Sequence, residues 1–263
     1  MSAIRASLLA ALAGAGLVAG EHALAAPCSF QSQGEGRVAA ITDARSFRLA
    51  DGRDIKLAGI EAVSAEATKR TAALAGLIAG REVILRGDDD APDRYGRQTA
   101  FVFVAGEDFS VQASLLSQGE ALAAADIADK ECAATLLTAE AASREAKKGI
   151  WAGPSAIKKA ESAGDILAGN GRFMLVEGRV LSVRQAGATT YLNFGRNWTR
   201  DFAVTISRRV LPSLEAAGIA PKSLENRRIR VRGFVETRTG PRIELVRVGQ
   251  IELLGASSTK TSD

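Results

Sequence analysis

Gly36 to Ser64, GRVAAITDARSFRLADGRDIKLAGIEAVS, reads as three short strands joined by tight turns. Val38 to Ile41 is apolar, and Phe47 to Leu49 alternates large apolar with charged residues. Asp51-Gly52 is a hairpin signal, because glycine reaches positive φ without a steric penalty. Ile55, Leu57 and Ile60 carry apolar side chains into the third strand. Two turns thereby bring Asp43 and Glu61 toward one edge of a small meander. Two carboxylates on one rim can hold a hard cation, which takes oxygen ligands; equally, they can be turn and surface residues.

Working outward, Ala65 to Ala79 reads as a helix with Thr68, Ala72, Leu74, Ala75 and Ile78 inward and Gly80 as its stop. Glu82 to Arg86 is a short strand, and Asp88-Asp89-Asp90 an exposed acidic loop without calcium-ligand spacing. Pro92 and Gly96 bracket a turn that presents Arg97, and Thr99 to Val104 is the next strand. Val111, Leu115 and Leu116 mark a helix ending near Gly119. Ala128 to Lys148 is another, with Cys132, Leu136, Ala139, Ser143 and Ala146 as its inward stripe. Lys147 and Lys148 suit the negative end of that helix, Gly149 stops it, and Trp151 anchors its end in the core.

The opening stretch, Asp93-Arg94-Tyr95-Gly96-Arg97 and the helix ending Lys148-Gly149-Ile150-Trp151 together resemble the staphylococcal nuclease, or thermonuclease-like, family over roughly residues 34–152. That resemblance implies a five-stranded OB barrel with helices and a calcium-dependent phosphodiesterase. In the family, acidic residues in the first turn and after the third strand hold the metal. A glutamate assists the attacking water, and two arginines steady the phosphate. A hard cation polarises phosphoryl oxygens, and fixed positive charges stabilise the charge that builds in the transition state.

Transferred residue by residue, the resemblance implies a degenerate site. The first-turn signature Asp-Gly-Asp-Thr is here Asp43-Ala44-Arg45-Ser46, so Arg45 stands where a metal-binding carboxylate is expected. The third-strand arginine is Lys56, without the planar two-pronged grip on phosphate. The next metal-binding aspartate is Glu61, and the water-activating glutamate is Ser64, with Glu66 two residues further on. Arg97 matches. The expectation is binding without cutting, with Lys56 and Arg97 as phosphate contacts and no cofactor. A calcium-dependent nuclease with the metal on Asp43, Glu61 and Glu66 is the alternative.

The chain ends set the context. Arg5, the 12-residue apolar run Leu8 to Ala19 and Ala23-Leu24-Ala25 read as a signal peptide over residues 1–25, too short to span a bilayer. Export makes a Cys28–Cys132 disulfide the expectation, closing a loop of about a hundred residues worth roughly 4 kcal/mol; two buried free thiols are the alternative. The one histidine, His22, falls in that leader. A mature chain without histidine excludes Ser-His-Asp hydrolysis, Cys-His proteolysis and ordinary zinc sites.

Residues 153–171 read as a linker with a short helix around Ala156–Leu167. Residues 172–255 hold about five strands and one helix, the pattern of a second, small OB-like β-barrel. Through YLNFG (191–195), DFAVTI (201–206) and RVRGFVETRTGPRIEL (230–245) they resemble the OB-type domain attached to some exported thermonuclease-like proteins. Overall the chain reads as mainly β with α, an α+β protein, with a disordered Ser/Thr-rich tail over 256–263. From Gly171 onward there are 16 Lys+Arg and 8 Asp+Glu, a net +8, which leaves 18 minus 22, or −4, for the rest. Arg228, Arg230 and Arg232 alternate along one strand and so share a face. With Tyr191, Phe194, Trp198 and Phe234 nearby in sequence, they are the candidate nucleic-acid contacts. A nucleic acid or another polyanion is the expected partner, and an envelope adaptor that contacts proteins is the third reading.

Overall fold

A computed structural model describes residues 30–63 and 65–255. The leader expected over 1–25, Cys28, Ser64 and the tail from Ala256 lie outside the described residues.

The first unit runs β1 (Gln31–Asp43), β2 (Ser46–Leu49), β3 (Asp54–Leu57), β4 (Ile60–Glu61), α1 (Ala67–Ile78), β5 (Glu82–Gly87), β6 (Arg97–Val104), α2 (Val111–Gln118), β7 (Leu122–Ala123) and α3 (Lys130–Glu145). Strands β1-β2-β3-β6-β5 form a closed barrel in that order, with β3 and β6 parallel. The 13-residue β1 closes the ring alone: its first half pairs with β5 and its second half with β2. Register shifts after Ser32, Val38 and Ile41 supply the bends this needs. Period-two alternation sends Phe47, Leu49, Ile55 and Leu57 inward, where they are 0 to 1% exposed.

The helices cover the barrel. Ser110 caps α2 by accepting the Ala113 N–H at 3.1 Å, and Asp129 caps α3 by accepting the Cys132 N–H at 2.8 Å. Buried positions on α3 are Cys132, Leu136, Glu140 and Ser143, so a glutamate takes the place expected of Ala139. On α1 the buried residues are Arg70, Leu74 and Ile78, whereas Thr68 and Ala72 are exposed. Arg70 is admitted because its guanidinium donates to Ala65 O at 2.9 Å and pairs with Glu120 at 2.6 Å.

The second unit runs β8 (Ile157–Lys159), α4 (Ala163–Leu167), β9 (Phe173–Arg179), β10 (Ser182–Ala186), β11 (Thr189–Asn193), β12 (Ala203–Ser207), α5 (Leu211–Ala216), β13 (Arg228–Thr237), β14 (Pro241–Leu245) and β15 (Ile251–Leu254). It forms an eight-stranded sheet in the order β10-β11-β12-β14-β13-β9-β8, with β15 also on β13. Only Val180 and Leu181 separate β9 from β10, and together they stand where β1 stands in the first barrel. The pairing then repeats, down to the parallel pair β12–β14. The interruption between β9 and β10 leaves this second ring open at one point.

The stretch expected as a linker is built into this unit. Strand β8 pairs with β9, and Ile166 of α4 is fully buried in the second core. The two units are packed together: Leu122, Trp151 and Leu175 form a small shared cluster, with Ile150, Ile157 and Phe173 against it. No helix among the described residues is long and apolar enough to cross a membrane.

Candidate functional site

The rim of the first barrel carries the residues expected to act. Asp43 closes the β1–β2 turn, and its Oδ1 accepts the Arg45 N–H at 2.8 Å. Its carboxylate is thus engaged in holding the turn, and the residue is exposed. Arg45 folds back over the rim. Its Nη1 donates to the Ile60 carbonyl at 3.3 Å and forms an ion pair with the Glu61 carboxylate. Glu61 is 8% exposed and sits in β4, opposite Leu122 of β7. Burial raises its pKa, and the neighbouring Arg45 and Lys56 oppose that rise.

Lys56 lies across from Ser46 on one side and Thr99 on the other, half-buried on the outer face of the barrel. Arg97 begins β6 beside Asp54, on the same face. Its guanidinium is held by Asp93, with Nε at 3.1 Å and Nη2 at 2.9 Å from one carboxylate oxygen. The Tyr95 and Arg97 N–H groups also donate to Asp93, at 2.9 and 3.0 Å. Partial desolvation works against ionisation of Asp93, but these hydrogen bonds outweigh it and bring its pKa down to about 2. Arg97 lies over the exposed ring of Tyr95, 5.2 Å from its centroid. Lys56 and Arg97 are therefore neighbours on one surface, with Arg97 already fixed in place.

The carboxylates do not assemble into a calcium cage. Calcium takes six to eight oxygens. Here Glu61 faces a guanidinium and Asp43 faces its own turn. Glu66 precedes α1 with φ of 54° and lies 3.6 Å from both Lys69 and Arg70. Among the described residues, no group of three or more His, Cys, Asp or Glu side chains is placed to hold a metal ion. The donor set around Arg45 does not fit the family's metal.

The basic strand requires a correction. Arg228, Arg230 and Arg232 do share a face, but that face looks onto carboxylates and onto α3 rather than onto solvent. Arg230 donates to Glu177 of β9 at 2.7 Å and to Glu252 of β15 at 2.7 Å. Arg232, 1% exposed, binds Glu140 of α3 at 3.0 Å, the Ala123 carbonyl at 3.0 Å, and Glu252. Burial raises the pKa of Glu252, yet Arg232 and Arg230 bring it below the ordinary glutamate range. Arg232 joins the two units, and both arginines are closed to a phosphate backbone; Arg228 alone of the three has an exposed side chain. Strand alternation shows which residues share a face, but Glu140, 92 residues away in sequence, decides what that face meets.

Cys132 is disulfide-bonded. Cys28 is the other cysteine of the sequence. No curated protein matches the chain. Residues 55–153 match the family model described as staphylococcal nuclease homologue. The match takes in Lys56, Glu61 and Arg97 and begins after the turn that carries Asp43 and Arg45. The matched stretch, with its parallel β3–β6 pair, three covering helices and arginine turn, is a staphylococcal nuclease homologue domain over residues 55–153.

Proposed function

We propose that this is an exported protein that binds nucleic acid or another polyanion and does not hydrolyse it. The staphylococcal nuclease homologues are, in general, calcium-dependent nucleases or nucleic-acid binders, and the site here favours binding. The observation that carries the reading is the ion pair between Arg45 and Glu61. A guanidinium about 4 Å from a divalent cation repels it by about 8 kcal/mol at an effective dielectric of ~20. Arg45 thus fills with positive charge the place a metal would take. Lys56 and Arg97 extend that charge across the outer face, where phosphate oxygens can be met without a metal. Export is supported by the leader-like sequence of residues 1–25 and by the disulfide of Cys132, a bond that persists in oxidising compartments.

Purified protein incubated with denatured DNA and calcium tests the catalytic half, and a calcium titration by calorimetry accompanies it. The expected outcome is no cleavage and no calcium heat at rim stoichiometry. Robust cleavage that is lost in Glu61→Ala would reverse the reading in favour of a working phosphodiesterase. Anisotropy of a labelled single strand across a salt series tests the binding half. Affinity should fall as salt rises; no binding at any salt would leave protein contacts as the role of both units.

A further inference from the structure

A groove of about 980 Å³ lies on the second sheet, away from the rim. Its floor follows from strand register. Ser182, Asn193, Ala203 and Arg242 form one cross-strand row over β10, β11, β12 and β14, and Arg184, Tyr191 and Thr205 form the next. The alternate residues Val183, Leu192, Val204 and Ile243 point the other way, the last three into the core. The walls come from two loops, 194–202 and 238–240. These loops are pressed together: a Cβ on Gly240 would lie 2.9 Å from the Asp201 carbonyl.

The chemistry of the lining is specific. Arg184, Arg196, Arg238 and Arg242 line the groove, and Asp201 is its one carboxylate. That carboxylate is committed to the Asn197 N–H at 2.7 Å. Arg184, Arg196 and Arg238 are exposed and have no ion pair among the described residues. Arg242 binds Glu236 at 3.0 Å through Nη2, while its buried Nε has no hydrogen-bond partner. Among these cations, Tyr191 stands half-buried on the floor and Trp198 is 69% exposed on the wall. An exposed indole beside unmatched guanidinium groups suits a ligand that alternates negative charges with flat rings.

Resting on the nucleic-acid reading above, we infer that this groove binds single-stranded nucleic acid. Arg184, Arg196, Arg238 and Arg242 meet phosphates, and Trp198, with Tyr191 below it, stacks on bases. Duplex bases present no free face to an indole, whereas unpaired bases do. The rim of the first barrel offers cations and one exposed tyrosine.

The test uses the full chain and a fluorescein-labelled oligo-dT of about twelve nucleotides. Trp198→Ala is expected to bind about tenfold more weakly, in the range found when a stacking aromatic is removed, and Trp198→Phe to recover most of that loss. Binding should quench tryptophan emission in the wild type but not in Trp198→Phe, because the remaining Trp151 is buried. The triple variant Arg184→Gln, Arg196→Gln, Arg238→Gln should lower the slope of log affinity against log salt by about 2, from about 0.7 per lost phosphate contact. All four positions are exposed, so melting temperatures should stay with the wild type and separate binding from folding. If the groove variants bind normally and Lys56→Ala with Arg97→Ala does not, the groove inference falls and the nucleic-acid reading stands. If the wild type binds no oligonucleotide, both fall. Inorganic polyphosphate competing equally per phosphate, with no tryptophan quenching by DNA, would overturn base stacking and with it the inference.

Discussion

Arg232 is the side chain whose loss the structure makes most consequential. It is 1% exposed and joins Glu140, itself 0% exposed, to Glu252 and to the Ala123 carbonyl. Arg232→Met keeps much of the stem volume and removes the charge. Taking one partner from a buried ion pair costs about 3–5 kcal/mol, because the other charge is left in a poor solvent. Glu140 would retain the Ala123 N–H at 2.7 Å and Arg144 at 3.2 Å, so the lower figure applies. A loss of ~3 kcal/mol in a chain of this length lowers Tm by about 6–12 °C. Differential scanning calorimetry checks it. Because the network ties α3 to β13 and β15, the variant should also separate one melting transition into two. Adding Glu140→Gln should recover about 2 kcal/mol, since the stranded charge is then gone. A single variant melting within about 1 °C of the wild type, as one transition, would refute the view that this network is what couples the two units.

Three further outcomes are expected. The Asp93 carboxyl, followed by NMR, should titrate near a pKa of about 2; since this is a depressed value, the stability it contributes is present above its unfolded pKa and is lost as pH falls through about 2, so an ordinary midpoint would show that Arg97 is not held as described. Gly119→Ala should lower the denaturant midpoint by an amount worth at least ~2 kcal/mol, because φ is 73° and the new Cβ would stand 2.3 Å from the Lys148 carbonyl; an unchanged midpoint would contradict that geometry. Cys132→Ser should cost about 2–4 kcal/mol and abolish any effect of reductant on the Tm, whereas a reductant effect that survives the substitution would place the redox-sensitive bond elsewhere.

Much of the first barrel is legible in sequence because its signals are local. Alternation at Phe47, Leu49, Ile55 and Leu57, the Asp51-Gly52 turn and the helix end at Gly119 each act within a few residues. The fate of charged side chains is not legible, because their partners are distant in the chain. Nothing near Arg232 announces Glu140, and nothing in α1 distinguishes Arg70 from a solvated arginine until Glu120 is placed beside it. Strand β10 is hard to read in sequence because Val180-Leu181 separates it from β9 without a turn residue, and the place of Arg184 on the groove floor is hidden with it. Its signal was present in the alternation of Val183 and Arg184, but five residues with two exposed polar neighbours carry little periodicity. Strand β8 is shorter still, and only its pairing with β9 gives it form.

The distribution of positive charge between the two units follows from which cations find carboxylates. In the first barrel, Arg45 has Glu61, Arg97 has Asp93 and Arg70 has Glu120. Lys56 stands beside the Arg45–Glu61 pair, so the rim offers phosphate one lysine together with arginines that are already held in place. On β13, three acidic side chains consume Arg230 and Arg232, and the excess charge of the second unit falls to arginines further along the same outward face, over β10 to β14. Those around Trp198 keep an open face, because the loops that carry them pack against each other instead of covering the floor. A chain selected only for solubility has no need to gather unmatched guanidinium groups around an exposed indole. The two units share a strand order, and the difference in what they can bind lies in this pairing of charges rather than in the fold.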